Sequence, residues 1–458
     1  MAIRPYGLLP CTAQSPTWDV EAWGARRDGT LVSFENVKVL ENDDTARMVM
    51  SLLNDDQKRE FDEFKQVDFS FGIADLGRFL AERAETAHVV LITDENVHRL
   101  HAMRAAEFLG GREIETDVIV VPPGEESKSP EAALSLWQGL LDLGVDRRSV
   151  VAAVGGGVVG DLAGFVAATF ARGLRLLQVP TTLLAQVDSS VGGKVGINLP
   201  EAKNIVGAFH QPVGVLIDVA ALATLPEREY RAGLAEVVKY GAALDAEFFG
   251  FLEQNAGAII QRNEDILIQV VTRCCRLKAD IVERDEREES GLRASLNFGH
   301  TFGHAYEMIS GQLPVVAKPQ AARKVDSHVI SESRLPDSRT PNLEHSLSNP
   351  QSLIPDPLLH GEAVSIGMVQ SARLGERLGR VDSTYTARLR SLLETFGLPV
   401  EPPECDAQSV IDVMMNDKKN QDGRIRFILP HSMGLVQLVE DAPFSAVLDV
   451  LRTDRGVA

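Results

Sequence analysis

Four short apolar runs, separated by segments with helical periodicity, constrain the fold of this chain more than any other feature of its sequence. The runs are rich in β-branched residues and lie at His88–Thr93, Asp117–Val121, Ser149–Val154 and Leu174–Val179. Helical periodicity between them is clearest at Glu131–Leu143. Short apolar strands that alternate with helices are typical of a parallel sheet with helices on both faces. The sequence therefore predicts an α/β domain over residues 66–226.

The part of the chain after Pro226 is predicted to be mainly helical. Helical periodicity is found at Glu227–Tyr240, Glu247–Leu252, Ala256–Arg284 and Glu362–Leu378. Near the end, Arg424–Leu429 and Leu435–Leu438 are expected to pair as a small hairpin across His431–Gly434. We therefore expect a second, mainly α-helical domain over residues 227–458.

Two segments do not fit either domain. Residues 1–65 are polar, with prolines at Pro5, Pro10 and Pro16, and predict an N-terminal extension of unknown role. Residues 314–357 are rich in Pro, Ser and Asn and have almost no periodicity, which predicts a disordered insertion in the helical domain.

Composition excludes several classes of function. The 458 residues carry a formal net charge of −19, which argues against nucleic-acid or anionic-membrane binding but not against a local anion site. Four cysteines form no CxxC pair, which favours a reduced, cytoplasmic location. No apolar run approaches the roughly 20 residues that a membrane helix needs.

A glycine-rich stretch follows the third strand and precedes a helical pattern at Leu162–Ala171. It runs from Gly155 through Gly156 and Gly157 to Gly160-Asp161. Glycines let a backbone approach a phosphate closely, and a helix N-terminus offers free N–H groups, so the stretch resembles a nucleotide pyrophosphate site. The alternative is a tight turn without a ligand. Asp94-Glu95-Asn96 and Gly124–Lys128 follow other strands and could bind the same cofactor or serve as helix caps and solvated loops.

A second group of polar residues suits a phosphorylated ligand, or else forms a solvated basic turn. It contains Thr181, Thr182, Asp188, Lys194 and the pair Lys203-Asn204, in a stretch that reads as largely loop-like, with Arg172 upstream. Hydroxyl and ammonium donors near glycines are typical of phosphate sites.

A third group could bind a metal ion. Arg293, Asn297, His300 and His304 are spaced to lie along one stripe of a helix, and His-x-x-x-His can place two rings on one ion. His360 offers a third imidazole. Glu236 and Lys239 share one face of a helix, either as a surface ion pair or pointing into a cleft.

Seven runs of sequence resemble the dehydroquinate synthase family of sugar-phosphate cyclases. They lie at residues 155–173, 179–198, 203–212, 231–241, 292–307, 360–368 and 417–430. The resemblance covers about residues 67–458 apart from 314–357. It implies a Rossmann-like, NAD-binding N-terminal domain, a mainly helical C-terminal domain, and an active site in the cleft between them.

The resemblance implies a divalent metal, Zn²⁺ or otherwise Co²⁺, bound by Glu236, His300 and His360. His304 would then take part in proton transfer instead of ligating. The implied catalytic residues are Lys194, His304, Glu288, Lys239 and Asn297; one extra residue before Arg293 leaves Glu288 and Glu289 as alternatives. Implied substrate contacts are Arg172, Asp188, Lys194, Asn204, Lys239, Lys278, Arg293, Asn297, His304 and one or both of Lys418 and Lys419. Implied NAD contacts are Asp94, Asn96, Glu125, Lys128, Gly156, Gly157, Asp161, Thr181, Thr182, Lys203 and Thr224.

The implied activity converts 3-deoxy-D-arabino-heptulosonate 7-phosphate to 3-dehydroquinate and phosphate, in the shikimate pathway, with NAD transiently reduced and then restored. The implied assembly is a homodimer. The alternatives are a cyclase of the 2-deoxy-scyllo-inosose or epi-valiolone type, an NAD- and metal-dependent polyol dehydrogenase, and a non-catalytic scaffold. The insertion at 314–357 departs from the family pattern and lies just before His360.

Overall fold

The N-terminal half of the protein is built on a parallel sheet, as predicted. The computed structural model describes residues 72–84, 86–112, 114–200, 202–286, 288, 291–312, 357–415 and 425–453. The five strands of the sheet are β1 (His88–Asp94), β2 (Glu115–Val121), β3 (Val150–Gly155), β4 (Arg175–Pro180) and β7 (Gly214–Val215). All are parallel, and their order across the sheet is β2-β1-β3-β4-β7.

Helices cover both faces of this sheet because successive side chains of each strand point to opposite faces. Val89 and Leu91 of β1 pack against helices α1 (Leu76–Arg83) and α2 (Met103–Gly110). Val90 and Ile92 pack on the other face, against α3 (Pro130–Asp142) and α4 (Gly157–Thr169). Both faces of the sheet are therefore covered by helices, which explains the nearly continuous apolar runs of the sequence.

The stretch around Lys194 and Lys203 was expected to be largely loop-like, and that prediction is wrong. Strands β5 (Lys194–Leu199) and β6 (Ala202–Phe209) form an antiparallel hairpin. Val195 and Ile197 enter the core beside α4, where the absence of a side chain at Gly164 lets Val195 approach the helix. The interspersed glycines and lysines hide this short alternation in the sequence.

The C-terminal half is mainly helical, as predicted. Its helices are α5 (Glu227–Leu244), α6 (Ala246–Ile260), α7 (Glu264–Arg284), α8 (His300–Glu307), α9 (His360–Arg377), α10 (Ser383–Thr395), α11 (Ala407–Met415) and α12 (Phe444–Thr453). The predicted hairpin is confirmed as β8 (Phe427–Ser432) and β9 (Leu435–Val439). Within the described ranges, no helix has both the length and the apolar character needed to cross a bilayer.

The single helical segment expected over Ala256–Arg284 is two helices. Helix α6 ends at Ile260, and Arg262 then adopts a left-handed backbone with φ 55°. The Asn263 side chain accepts a hydrogen bond from Ile266 N at 3.1 Å and starts α7. An Asn N-cap satisfies an otherwise unpaired N–H group, so the chain turns here without loss of hydrogen bonding.

The two segments that fit neither domain lie outside the described residues, apart from Pro357. The described residues before the insertion are nevertheless hydrogen-bonded to those after it. Leu358 N donates a hydrogen bond to Ser310 Oγ at 3.1 Å, and Arg228 Nη2 donates to Pro357 O at 2.7 Å. These bonds hold the approach to α9 in place whatever lies between the two ends.

Helices α8 and α9 pack antiparallel with their backbones in close contact. A Cβ atom at Gly367 of α9 would overlap the carbonyl oxygen of Gly299, and one at Gly303 of α8 would lie 3.0 Å from Ala363 O. At the start of α9, a Cβ at Gly361 would overlap Ala232 O of α5. Three helices are therefore fixed relative to one another by glycine contacts.

We predict that Gly367→Ala lowers the free energy of unfolding by about 1–3 kcal/mol or more, because the added methyl group has to push two backbones apart. Gly250→Ala in α6 is the matched control, because a Cβ there meets nothing within 4 Å. It should leave stability unchanged or raise it by up to about 1 kcal/mol through helix propensity. Urea unfolding followed by circular dichroism measures both. Equal stability of the two variants would contradict the close packing.

Candidate active site

The four polar residues expected along one helical stripe do not share a helix. Arg293 and Asn297 belong to a 3-10 turn at Leu292–Asn297, and α8 begins only at His300. Gly299, between them, has φ 82°, and a Cβ atom there would lie 2.8 Å from Met368 N of α9. The break is required because only glycine combines this left-handed backbone with so close a contact.

Glu236, His300 and His360 nevertheless converge. One ligand atom from each residue lies within 4.8 Å of the others. Glu236 stands in the middle of α5, whereas His300 and His360 are the first residues of α8 and α9. Glu236 Oε1 lies 3.7 Å from His300 Nε2 and 3.6 Å from His360 Nε2.

Both imidazoles are oriented through their other ring nitrogen. His300 Nδ1 lies 3.2 Å from Phe298 O, and His360 Nδ1 lies 2.9 Å from Glu307 Oε2. Both partners are oxygen acceptors, so each Nδ1 carries the proton and donates. Each ring therefore directs Nε2 toward Glu236, which is the arrangement of histidines that bind a metal.

The Glu236 carboxylate is fully buried. Lys239 Nζ lies 2.5 Å from Oε2, whereas Oε1 has no hydrogen bond within the described residues. A buried carboxylate oxygen without a donor is costly, so a cation beside Oε1 is strongly favoured. One oxygen and two imidazole nitrogens suit Zn²⁺ or Co²⁺ and leave positions open for a substrate. The three residues present therefore fit a catalytic metal. The His304 ring lies beside this cluster, with its centroid 5.2 Å from that of His300.

Electrostatics around the cluster favour a negative carboxylate. Burial alone would raise the pKa of Glu236, but Lys239 and His360 outweigh burial and lower it. Burial would likewise lower the pKa of His360, yet the neighbouring carboxylates of Glu236 and Glu307 raise that pKa to about 10. Without a metal, His360 therefore keeps a proton at neutral pH, and a bound cation would take that proton's place.

Lys239 is buried, so the alternative of a surface ion pair is excluded. Its Nζ lies 2.5 Å from Glu236 Oε2 and donates a hydrogen bond to Leu296 O at 2.7 Å. Burial by itself lowers the pKa of a lysine, but Glu236 and Asp188 raise the pKa of Lys239. The ammonium is therefore charged at neutral pH and balances Glu236.

Asp188 is joined to the helical half by two residues. Tyr240 Oη donates to Asp188 Oδ1 at 2.8 Å, and Lys278 Nζ donates to Asp188 Oδ1 and to its backbone oxygen, both at 2.6 Å. Burial would raise the pKa of Asp188, but Lys278 and Lys239 hold it well below its usual range. Sequence reasoning missed Tyr240, because a tyrosine beside Lys239 in an apolar helix reads as ordinary core.

Lys194, at the start of β5, and Arg293 of the 3-10 turn share one carboxylate. Glu288 forms an ion pair with Lys194, and its Oε1 lies 3.7 Å from Arg293 Nε. Of the two candidate acids, Glu288 therefore lies in this group, whereas Glu289 is outside the described residues. Two cations from different halves of the chain meet here, as an anionic ligand requires. Burial and the neighbouring Arg293 lower the pKa of Lys194, although Glu288 opposes them.

The glycine-rich stretch forms the turn between β3 and α4, at the carboxyl edge of the sheet. Its glycines lie against neighbouring chain, since a Cβ at Gly156 would lie 3.0 Å from Thr182 Cγ2 and one at Gly157 3.0 Å from Ser189 Oγ. The buried Thr181 Oγ1 has no hydrogen bond among the described residues. Free N–H groups at the start of α4 can bind a phosphate here.

Several of the expected cofactor residues bind one another beside this turn. Lys128 Nζ donates to Asp161 Oδ2 at 2.7 Å and to Asn204 Oδ1 at 2.5 Å. Asn198 Nδ2 donates to Glu125 Oε1 at 2.8 Å. Asn204, which the resemblance assigns to the substrate, therefore lies with the group assigned to the cofactor.

The remaining expected cofactor residues are more dispersed. Asp94 Oδ1 accepts hydrogen bonds from Asn96 N at 2.9 Å and Val97 N at 3.0 Å, so it acts as a helix cap. Thr224 Oγ1 lies 2.7 Å from His101 Nε2. Lys203 Nζ donates to Glu307 Oε1 at 2.7 Å and so reaches toward the histidine cluster.

Within one chain, Arg172 lies far from the cluster of Glu236, His300 and His360. It follows the C-terminal end of α4, is exposed, and has φ 68°. The 13 residues of α4 separate it from the glycine turn by about 20 Å, at 1.5 Å per residue. Lys418 and Lys419 lie outside the described residues.

Solved structures share this arrangement of a parallel α/β half with a helical half. A 2-epi-5-epi-valiolone synthase from Streptomyces hygroscopicus subsp. jinggangensis 5008, solved with NAD⁺ and Zn²⁺ bound, is 27% identical with a TM-score of 0.67, covering 81% of this chain and 91% of that one. A glycerol dehydrogenase from Schizosaccharomyces pombe shares the fold at 16% identity and a TM-score of 0.52, over 83% of this chain and 86% of that one.

Sequence comparison narrows the class. The profile described as 3-dehydroquinate synthase N-terminal matches residues 118–232, and the C-terminal profile matches residues 233–315 and 348–420. A 3-dehydroquinate synthase of Geobacter metallireducens is 42% identical over 82% of this chain and 92% of its own length. One from Desulforamulus reducens is 43% identical over 82% and 93%. The fold is one that sugar-phosphate cyclases have. The chain belongs to the 3-dehydroquinate synthase family.

We predict that Lys239→Met lowers the free energy of unfolding of the metal-free protein by about 3–5 kcal/mol, because the buried Glu236 loses its nearest countercharge, an ammonium at 2.5 Å. Lys239 is the strongest of the influences that lower the pKa of Glu236, so its loss lets burial raise that pKa in the folded state. The variant would then be most stable below the unfolded pKa and would lose stability as the pH rises through the folded one.

Urea unfolding in the presence of a chelator, at several pH values, measures this effect. The double variant Glu236→Gln/Lys239→Met is the control, and it should recover much of the lost stability because no unpaired charge is buried. A single variant as stable as the wild-type protein would contradict the buried ion pair.

Proposed function

We propose that this protein is a 3-dehydroquinate synthase, which converts 3-deoxy-D-arabino-heptulosonate 7-phosphate to 3-dehydroquinate and phosphate. The observation that carries the proposal is the convergence of Glu236, His300 and His360 on one point, together with the family membership of the chain. The curated relatives matched over four-fifths of this chain bear this enzyme's name.

Glu236, His300 and His360 would hold the metal, with Zn²⁺ preferred and Co²⁺ as an alternative. When bound, the ion supplies a Lewis acid that polarises a substrate oxygen. The protein's own contribution is orientation: Phe298 O and Glu307 fix the two rings, and Lys239 keeps Glu236 ionised. A wild-type protein that binds neither Zn²⁺ nor Co²⁺ would contradict this assignment.

NAD would occupy the carboxyl edge of the parallel sheet. The proposed contacts are Asp94, Asn96, Glu125, Lys128, Gly156, Gly157, Asp161, Thr181, Thr182, Lys203 and Thr224. When bound, NAD supplies a reversible hydride acceptor. The glycine turn lets the backbone approach a pyrophosphate, and the Lys128–Asp161 pair supports that turn from the adjoining loop.

The substrate would lie between the metal ligands and the cations. Lys194 and Arg293 are proposed to bind its anionic groups in place of Glu288, whose carboxylate they share in this structure. Asn297 and His304 are proposed to contact the reacting part of the substrate, with His304 moving a proton. The further proposed contacts are Arg172, Asp188, Asn204, Lys239, Lys278, Lys418 and Lys419. Glu288, once displaced, is proposed as an acid or base in the same step.

A cyclase acting on a sugar phosphate without a carboxylate is the second candidate, because the solved valiolone synthase has a similar fold. The carboxylated substrate is favoured because Lys194 and Arg293 lie together, and a substrate with two anionic groups needs two positive charges.

The homodimer, the cytoplasmic location and the absence of nucleic-acid binding stay predictions.

We predict that the purified protein, incubated with the heptulosonate phosphate, NAD⁺ and Zn²⁺, releases phosphate and forms the cyclic product with no net NADH. A colorimetric phosphate assay, absorbance at the NADH band and mass spectrometry of the product measure this. Net accumulation of NADH would instead indicate a polyol dehydrogenase. Phosphate release from sugar phosphates lacking the carboxylate, but not from the heptulosonate, would indicate the second cyclase class.

In the same assay, Lys194→Ala should lower kcat by about 10²–10³-fold, because a charge that stabilises the departing anion is lost. Arg388→Ala is the matched control, since Arg388 pairs with Glu253 at the surface and lies over the Phe249 ring, and neither residue belongs to the proposed site. The control should turn over at the wild-type rate. Near-normal turnover by Lys194→Ala would refute its assigned role.

We predict that deletion of residues 316–347, the segment between the two matched parts of the C-terminal profile, preserves both zinc content and turnover. The physical reason is that two hydrogen bonds hold the start of α9 without the deleted segment. One joins Leu358 to Ser310, and the other joins Pro357 to Arg228. Loop closure costs only about 0.6 kcal/mol per doubling of loop length, so shortening is tolerated. Loss of zinc from the shortened protein, measured by elemental analysis, would show that the insertion supports His360.

A further inference from the structure

Glu307, the last residue of α8, joins two residues that sequence reasoning had assigned to different ligands. It is 7% exposed. Its Oε2 accepts a hydrogen bond from His360 Nδ1 at 2.9 Å, and its Oε1 accepts one from Lys203 Nζ at 2.7 Å. Each oxygen of this carboxylate therefore serves a different element, and Glu307 was not among the residues expected in the site.

The bond to His360 matters because it holds the ring of a proposed metal ligand. His300, the other imidazole, is oriented by the backbone oxygen of Phe298, two residues before it. His360 is the first residue of α9 and has no such local support; its Nδ1 depends on a side chain from a different helix. Removal of Glu307 would leave the His360 ring free to rotate or to present the wrong nitrogen.

The bond to Lys203 extends this support into the other half of the chain. Lys203 lies on β6, in the hairpin that packs beside α4. Glu307 and His360 lie on α8 and α9. A continuous series of two charge-assisted hydrogen bonds therefore runs from the α/β half to the histidine cluster. Such bonds are short and directional, which suits a positioning role.

We propose that Glu307 is a positioning residue that holds His360 Nε2 toward the metal, and that Lys203 acts on the metal site by fixing Glu307. This inference rests on the metal site proposed above. It makes the metal affinity depend on contact between the two halves of the protein, because one end of the series is attached to each half.

The test measures zinc affinity of the metal-free protein by competition with a chromogenic chelator, without substrate or NAD. Glu307→Gln should bind Zn²⁺ about 10–100-fold more weakly than the wild type, as is typical when the group that orients a ligating histidine is lost. Lys203→Met should bind with intermediate affinity. The double variant should bind no more weakly than Glu307→Gln alone, since Lys203 acts through Glu307.

Asp245→Asn is the matched control for the loss of a buried ionic carboxylate. The Asp245 side chain is about as buried as that of Glu307 and pairs with Arg273 at 2.5 Å. It also accepts hydrogen bonds from Glu247 N and Phe248 N, and none of these partners belongs to the cluster. Thermal unfolding of all four variants reports on folding separately. The control should lose stability without losing zinc affinity.

Three results would overturn the proposal: unchanged zinc affinity of Glu307→Gln, an effect on zinc affinity as large in Asp245→Asn, or fully additive losses for Lys203 and Glu307. These outcomes are separate from failure of the proposed function. A wild-type protein that binds zinc but releases no phosphate from the heptulosonate would refute the function alone. An active enzyme whose Glu307→Gln variant binds zinc normally would refute only the positioning role.

Discussion

The buried carboxylate of Glu236 is the constraint on which the rest of the site depends. A charge with no exposed surface needs cations close to it, since transfer of an unpaired carboxylate out of water costs several kcal/mol. Lys239 provides one permanent positive charge at 2.5 Å, and two imidazoles complete the surroundings. A single ammonium leaves the second oxygen open. The arrangement therefore suits a metal ion, which can bind that oxygen and both rings at once.

Backbone packing explains how three separate helices reach this point. The glycines of α8 and α9 let the helices touch, so their first residues, His300 and His360, lie beside α5. The hydrogen bond between Leu358 and Ser310 joins the start of α9 to the chain just after α8. The α/β half contributes through Lys194, Lys203 and Asp188, each of which pairs with a residue of the helical half. The cations and carboxylates of the two halves thus balance each other across their contact.

Sequence patterns predicted the strands and helices well where burial is simple. The central strands β1, β3 and β4 are buried on both faces, so each is a compact apolar run that stands out from its neighbours. The β5–β6 hairpin was missed because its buried positions, Val195 and Ile197, alternate with glycine and polar residues over a very short length. The helical stripe through Arg293 and His304 was wrong because periodicity cannot register a left-handed residue such as Gly299. Its conformation is imposed by contact with α9, which is distant in sequence.

By itself, the sequence determined the α/β and helical halves, the positions of the glycine turn and of the β8–β9 hairpin, and, through its resemblance, the identity of the candidate metal ligands. These depend on local periodicity and on residue types that stand next to one another in the chain. Only the tertiary structure decided that Lys239 is buried against Glu236, that Glu288 lies between Lys194 and Arg293, and that Glu307 connects Lys203 to His360. Each of these contacts depends on how separate elements pack. Burial sets the strength of such an interaction, and the residues become buried only when those elements have packed.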